Sequence, residues 1–111
     1  MIKPFAESSE QNKEPILAVI QEQFAECRSI LEIGSGTGQH AVYFAEQLPH
    51  LRWQPSDAPE NLPGIQLWLD EANRDNLDAL LELDVSASTW PQGPYDGVFS
   101  ANTVHIMSWW N

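Results

Sequence analysis

Three glycines at alternate positions, Gly34, Gly36 and Gly38, stand between an apolar run, Ile30 to Ile33, and a segment of helical periodicity. A chain built this way has to pass from strand through a tight loop into helix. Glycine reaches positive φ at little steric cost, and its missing Cβ lets a ligand approach the main chain while unpaired N–H groups of the following helix face it. The stretch therefore reads as a ligand-binding turn, the alternative being a glycine-rich turn that holds nothing. A dinucleotide fingerprint of the form G-x-G-x-x-G from Gly34 requires glycine at position 39, where the chain has Gln39. The pattern is instead E-x-G-x-G-x-G, and Glu32 sets an acid at the mouth of the loop. There it would repel a pyrophosphate and attract an ammonium or sulfonium group.

What surrounds the loop bounds the rest. A length of 111 residues allows one domain with a thin core. Five basic against 16 acidic residues, a formal charge of -11, repel phosphate backbones and anionic membranes, so neither nucleic acid nor a membrane is expected as partner. A small-molecule substrate fits better. The lone Cys27 excludes an internal disulfide and lies in an apolar helical stripe, as a packed thiol would. No signal-peptide pattern and no apolar run near the ~20 residues of a membrane span are present, which leads to a cytoplasmic expectation. The spacing of His40, His50 and His105 against the carboxylates suggests no metal site.

In chain order, residues 1–11 are polar and read as a loose N-terminal arm, with the domain proper at 12–111. A first helix is expected from Asn12 as N-cap, with Pro15 in its first turn and Ile16, Ile20, Phe24 and Cys27 on one face. Ser29 to Ile33 is the first strand, and Ala41, Phe44, Ala45 and Leu48 form the stripe of a second helix stopped by Pro49. Arg52 to Ser56 is the second strand. Asp57 follows it, about 20 residues past the loop, where nucleotide-binding α/β folds hydrogen-bond a ribose diol. Leu62, Ile65, Leu69 and Ala72 mark a third helix, Ala79 to Leu83 a third strand ending at Asp84, and Tyr95 to Ala101 a fourth. The acids Asp70, Glu71, Asp75 and Asp78 read as a solvated surface.

The run from Glu32 to Gly38 resembles motif I of the class I S-adenosylmethionine (SAM) dependent methyltransferases. That resemblance implies SAM as cofactor, with Glu32, Gly34, Gly36 and Gly38 holding its methionine part. It implies further that Asp84 accepts the adenine amino group, that Val85 offers its backbone N–H to a ring nitrogen, and that Asn102 and His105 lie near the methionine end or the methyl acceptor. His105 is the candidate base if the acceptor has a proton to lose. Asp84 reads equally as the cap of the turn over Ser86 to Thr89, and His105 as a helix-surface residue. Asn12 to Leu17 resembles the N-terminal part of one bacterial and eukaryotic branch of methyltransferase-like proteins, labelled a domain of unknown function.

The implied fold is α/β, a Rossmann-like and mostly parallel sheet of strand order 3-2-1-4 with helices on both faces, truncated before strands 5 to 7. The ligand is expected over the carboxyl ends of strands 1 and 2. The fourth strand, left as an open edge beside Tyr95, Phe99, Trp109 and Trp110, invites self-association. SAM-dependent methyl transfer is the leading function. A non-catalytic half-domain that binds SAM or its product S-adenosylhomocysteine (SAH), or that assembles with another chain, is the alternative. A nicotinamide-dependent oxidoreductase shares the fold but is opposed by Gln39 and Glu32.

Overall fold

The structure, a computed structural model, describes residues 3–83 and 94–101 and the backbone of 105–108. Its elements run α1 (Glu7–Gln23), β1 (Ser29–Glu32), α2 (Gln39–Gln47), β2 (Arg52–Gln54), β3 (Ser56–Asp57), a 3₁₀ turn (Pro59–Asn61), α3 (Leu62–Ala72), β4 (Leu81–Glu82), β5 (Gly97–Ser100) and β6 (His105–Ser108). A four-stranded sheet has the order β2-β1-β5-β6, and β3 pairs with β4 in a second, two-stranded ladder. β1 lies parallel to β2 and to β5, and β3 parallel to β4. The sheet is thus mostly parallel and Rossmann-like, as expected.

The expected second strand is split at Pro55, whose missing N–H interrupts the outward ladder: Arg52 N–H donates inward to Arg28 O and Trp53 N–H outward to Asn76 O, so position 55 faces outward. Pairing to β1 ends at Gln54, and beyond the proline the chain bonds outward: Leu81 N–H donates to Pro55 O and Leu83 N–H to Asp57 O. Leu77 already bridges Trp53 in parallel. Joined across Pro55, the strands follow the expected order 3-2-1-4. The departure is at the other end, where β6 pairs antiparallel with β5. The edge of the fourth strand is therefore taken by the chain's own residues 105–108, and the open β5 edge on which self-association was expected does not exist.

In-register neighbours on parallel strands share a face, so Ile30, Trp53 and Gly97 form one row and Glu32 and Phe99 the next. Against this face pack Ile16, Ile20 and Phe24 from the α1 region and Ala41, Phe44 and Ala45 of α2. Phe44, Trp53 and Phe99 meet pairwise with ring centroids 5.5 to 5.7 Å apart, within the range of favourable edge and tilted contacts. α3 buries Ile65 and Leu69 and packs beside α2. Helical cover among the described residues is thus established on one face. The other carries Leu31, Gln54 and Val98.

The N-terminal segment is not a loose arm. α1 begins at Glu7, five residues before Asn12, and runs through Pro15, which has no N–H for the Gln11 carbonyl. Glu7 and Glu10 in its first turn suit the helix dipole. Ahead of it, Pro4 O accepts the Trp68 indole N–H at 2.6 Å, and Lys3 lies 3.8 Å over the same ring and pairs with Glu71. Gly64 makes room, since a Cβ there would stand 2.9 Å from Pro4 Cγ. No helix among the described residues is long and apolar enough to cross a membrane.

Candidate functional site

Glu32 closes β1 on the helix-covered face and is fully buried. Its Oε1 accepts the Ser35 hydroxyl at 2.9 Å and the Trp53 indole N–H at 3.0 Å. Its Oε2 is buried with no partner among the described residues. Desolvation raises the carboxyl pKa to about 7, against the opposing pull of those two hydrogen bonds, and the nearby Asp57 charge adds to the rise. An acid held half-ionised near neutrality, with one oxygen unsatisfied, is poised for a cation.

The loop after β1 is stitched to the next strand. Ser35 N–H donates to Ser56 O and Ser56 N–H to Ser35 Oγ, at 2.8 and 3.0 Å, while the Ser56 hydroxyl bonds Glu32 O. Gly34, Gly36 and Gly38 have φ of 74°, 64° and 98°. The two later glycines differ in surroundings. A Cβ on Gly36 would meet nothing within 4 Å, whereas one on Gly38 would lie 3.0 Å from Trp68 Cβ and 3.4 Å from Ile65 Cα. Gly36 faces open space, and Gly38 lets α3 approach.

Asp57 reaches this loop. Its Oδ2 accepts Gly36 N–H at 2.8 Å, and its Oδ1 accepts Ala58 N–H and the Asn61 amide at 2.6 and 3.0 Å. One carboxylate thus fixes the loop and starts the turn into α3, with lone-pair capacity remaining.

α2 begins on Gly38 with no acid in its first turn, and the Thr37 hydroxyl oxygen accepts the Gln39 N–H at 3.2 Å. Its first residue, Gln39, is buried; Oε1 accepts Ala6 N–H at 2.6 Å and the Thr37 hydroxyl at 2.8 Å, and Nε2 has no partner. His40 Nε2 lies 2.9 Å from Asn12 Oδ1 and 3.2 Å from Ser9 O, and the ring stacks on Phe44. Burial holds this imidazole below its usual pKa, so it is a neutral packed group.

Of the residues singled out in the sequence, Glu32, the three glycines and Asp57 come together around one loop. Asp84, Val85 and Asn102 lie outside the described residues. His105 is in a strand and not on a helix surface: the chain turns back along β5, and its backbone pairs with Ser100. Sequence reasoning missed Ser35, Trp53, Ser56 and Gln39. A signal existed for Trp53, which alternation on adjacent parallel strands puts on the face of Glu32. A surface groove of about 660 Å³ between Cys27, Arg28, His50 and Arg52 lies at the amino ends of β1 and β2 and is remote from this loop.

Residues 3–111 match the model of a family described as a protein of unknown function, DUF938. Among solved structures the chain is similar to the S-adenosylmethionine-dependent methyltransferase SibL in its apo form, at 26% identity and TM-score 0.75, over 90% of this chain and 28% of that one. It is also similar to PigF with SAH, at 24% identity and TM-score 0.66, over 82% of this chain and 28% of that one. A third likeness is PKMT2 from Rickettsia typhi in complex with AdoHcy, at 24% identity and TM-score 0.53, over 78% and 18% of the two chains. The fold is that of SAM-dependent methyltransferases, and the chain spans under a third of the length of each of these structures. With the family model covering nearly its whole length, the chain belongs to the DUF938 family.

Proposed function

We propose that this chain is the cofactor-holding part of a SAM-dependent methyltransferase that acts on a small molecule. The observation that carries the reading is Glu32, whose buried Oε2 lacks a partner beside a glycine loop with open space at Gly36. Those features fit the cationic methionine end of SAM, and the likeness to SibL supports the same cofactor. Bound there, SAM supplies a methyl group activated by its sulfonium charge.

The residues then divide by task. Glu32 takes the ammonium, the glycine loop lies along the methionine part, and Asp57 accepts a ribose hydroxyl on its remaining lone-pair site. Asp84 and Val85 are assigned to adenine, and Asn102 to the methionine end, by the family resemblance alone. His105 removes a proton where the acceptor carries one. Since the sulfonium charge disappears as the methyl leaves, an acid near it favours the ground state, and Glu32 serves binding and not the chemical step. Rate comes from holding the acceptor in line and dry.

Calorimetric titration of SAH into the chain, with NAD as control, tests this. One-site binding of SAH alone is expected; binding of NAD instead would return the site to the oxidoreductases. Replacing Asp57 with Ala should weaken SAH by about 1.5–3 kcal/mol, the scale of a hydrogen bond to a charged group. An unchanged dissociation constant would remove Asp57 from the site.

The alternative reading is a module that holds SAM or SAH while another chain or segment supplies the acceptor pocket. Methyl transfer by this chain alone would exclude it. The packed thiol of Cys27 accords with a cytoplasmic setting.

A further inference from the structure

Two buried side-chain atoms among the described residues lack a hydrogen-bond partner, Glu32 Oε2 and Gln39 Nε2. They flank the glycine loop, one at its start and one at its end, and they are of opposite kind, an acceptor and a donor. The amide of Gln39 is oriented by its surroundings: Ala6 N–H can only donate, so the oxygen must face it, at 2.6 Å, with the Thr37 hydroxyl on the same oxygen at 2.8 Å. The NH₂ group is left over. Leaving a buried donor unsatisfied is unfavourable, and such groups in native structures call for an occupant. The α2 N-terminus beside it has no acid in its first turn, and although the Thr37 hydroxyl oxygen accepts the Gln39 N–H at 3.2 Å, its positive end still favours an anion at the same place.

We propose that Gln39 recognises the α-carboxylate of the bound ligand, so that Glu32 and Gln39 together select the zwitterion of an amino-acid end. This rests on the reading of the loop as a SAM site and adds to it a specificity residue. A neutral amide suits the task, because it can stay buried in the empty site where a lysine or arginine would need a counter-charge. Gln39 Nε2 is buried next to the oxygen that Ala6 N–H holds, so its surroundings must shift as the carboxylate arrives.

The test titrates wild type and Gln39→Glu with two ligands, SAH and the SAH analogue that lacks only the α-carboxylate. Gln39→Glu keeps the oxygen that Ala6 and Thr37 need and replaces the donor with a negative charge. Wild type should prefer SAH by about tenfold or more, the factor one charge-assisted hydrogen bond supplies. The variant should lose SAH by at least about tenfold and hold the analogue as well as wild type does, which reverses or erases the preference. Equal weakening of both ligands, or no effect on SAH, overturns the role of Gln39 while leaving the SAM site standing. Failure of wild type to bind either ligand overturns both. If the variant does not fold, Gln39→Met takes its place: loss of the wild-type preference for SAH supports the proposal and an unchanged preference overturns it.

Discussion

At pH 8 the Glu32→Gln protein should be more stable to urea than wild type by about 3 kcal/mol, and should bind SAH more weakly. The folded carboxyl titrates near 7 against an ordinary value of 4.5, its pKa raised chiefly by burial. Below the ordinary value both folded and unfolded chains hold the proton, and ionisation makes no difference. Between the two values the unfolded chain releases its proton while the folded chain keeps it, so wild-type stability falls as pH rises. Above the folded value the full penalty is present, about 1.4 kcal/mol for each unit between the two pKa values. Glutamine keeps an oxygen for Ser35 and Trp53 and carries no charge, so the two stability profiles should meet near pH 4.5 and separate up to about pH 8. Parallel profiles across that range would show that Glu32 ionises normally. Binding should run the other way: wild-type affinity for SAH should rise through pH 7 as the carboxylate forms, and the variant's should stay flat and lie about 1.5–3 kcal/mol lower. The group that weakens the empty fold is the one that holds the ligand.

Alanine at Gly38 and alanine at Gly36 should fail in different ways. At Gly38 the φ of 98° strains any side chain, and the new Cβ meets Trp68 and the Ile65 main chain. Strain and displacement of α3 together should cost about 2–4 kcal/mol, read from the urea midpoint. At Gly36 the φ of 64° lies in the left-handed region that alanine tolerates for about 1–2 kcal/mol, and nothing stands within 4 Å. Gly36→Ala should therefore stay folded and lose SAH affinity by at least about tenfold, because the methyl group fills space the ligand needs. Equal destabilisation by the two substitutions would mean that Gly36 is also a packing residue.

The centre of the fold was legible because its signals are local. Alternate glycines after an apolar run specify β1, the loop and α2 without help from distant residues, and the acid after the second strand could be placed by spacing alone. The start of α1 was hidden because its causes are distant: Glu7 to Gln11 are polar, Pro15 looks like a first-turn residue, and what holds the turn is Gln39 and His40 across the fold. Pro55 announces a broken ladder in retrospect, but the outward pairing of Ser56 and Asp57 depends on where residues 81–83 lie. β6 was unreadable for the same reason, since Ile106 and Met107 fit a helix or a strand until β5 is beside them. In the site, the acid and the glycines were visible as a motif. Ser35 and Gln39, set between and after the glycines, gain their meaning only from partners that tertiary structure supplies.

The clasp of the N-terminal segment on α2 and α3 also bears on the order in which the molecule assembles. Lys3 meets Glu71 across 68 residues and Ala6 meets Gln39 across 33, whereas the β1-loop-α2 unit closes over far shorter spans. Contacts that close long loops form late, because chain entropy must be given up before they repay it. Residues 3–6 are thus among the last to find their places. Pulse-labelled amide exchange during refolding should protect Leu48, whose N–H donates to Phe44 O in α2, before Ala6, and until Ala6 is protected the glycine loop stands without the Ala6 contact to Gln39.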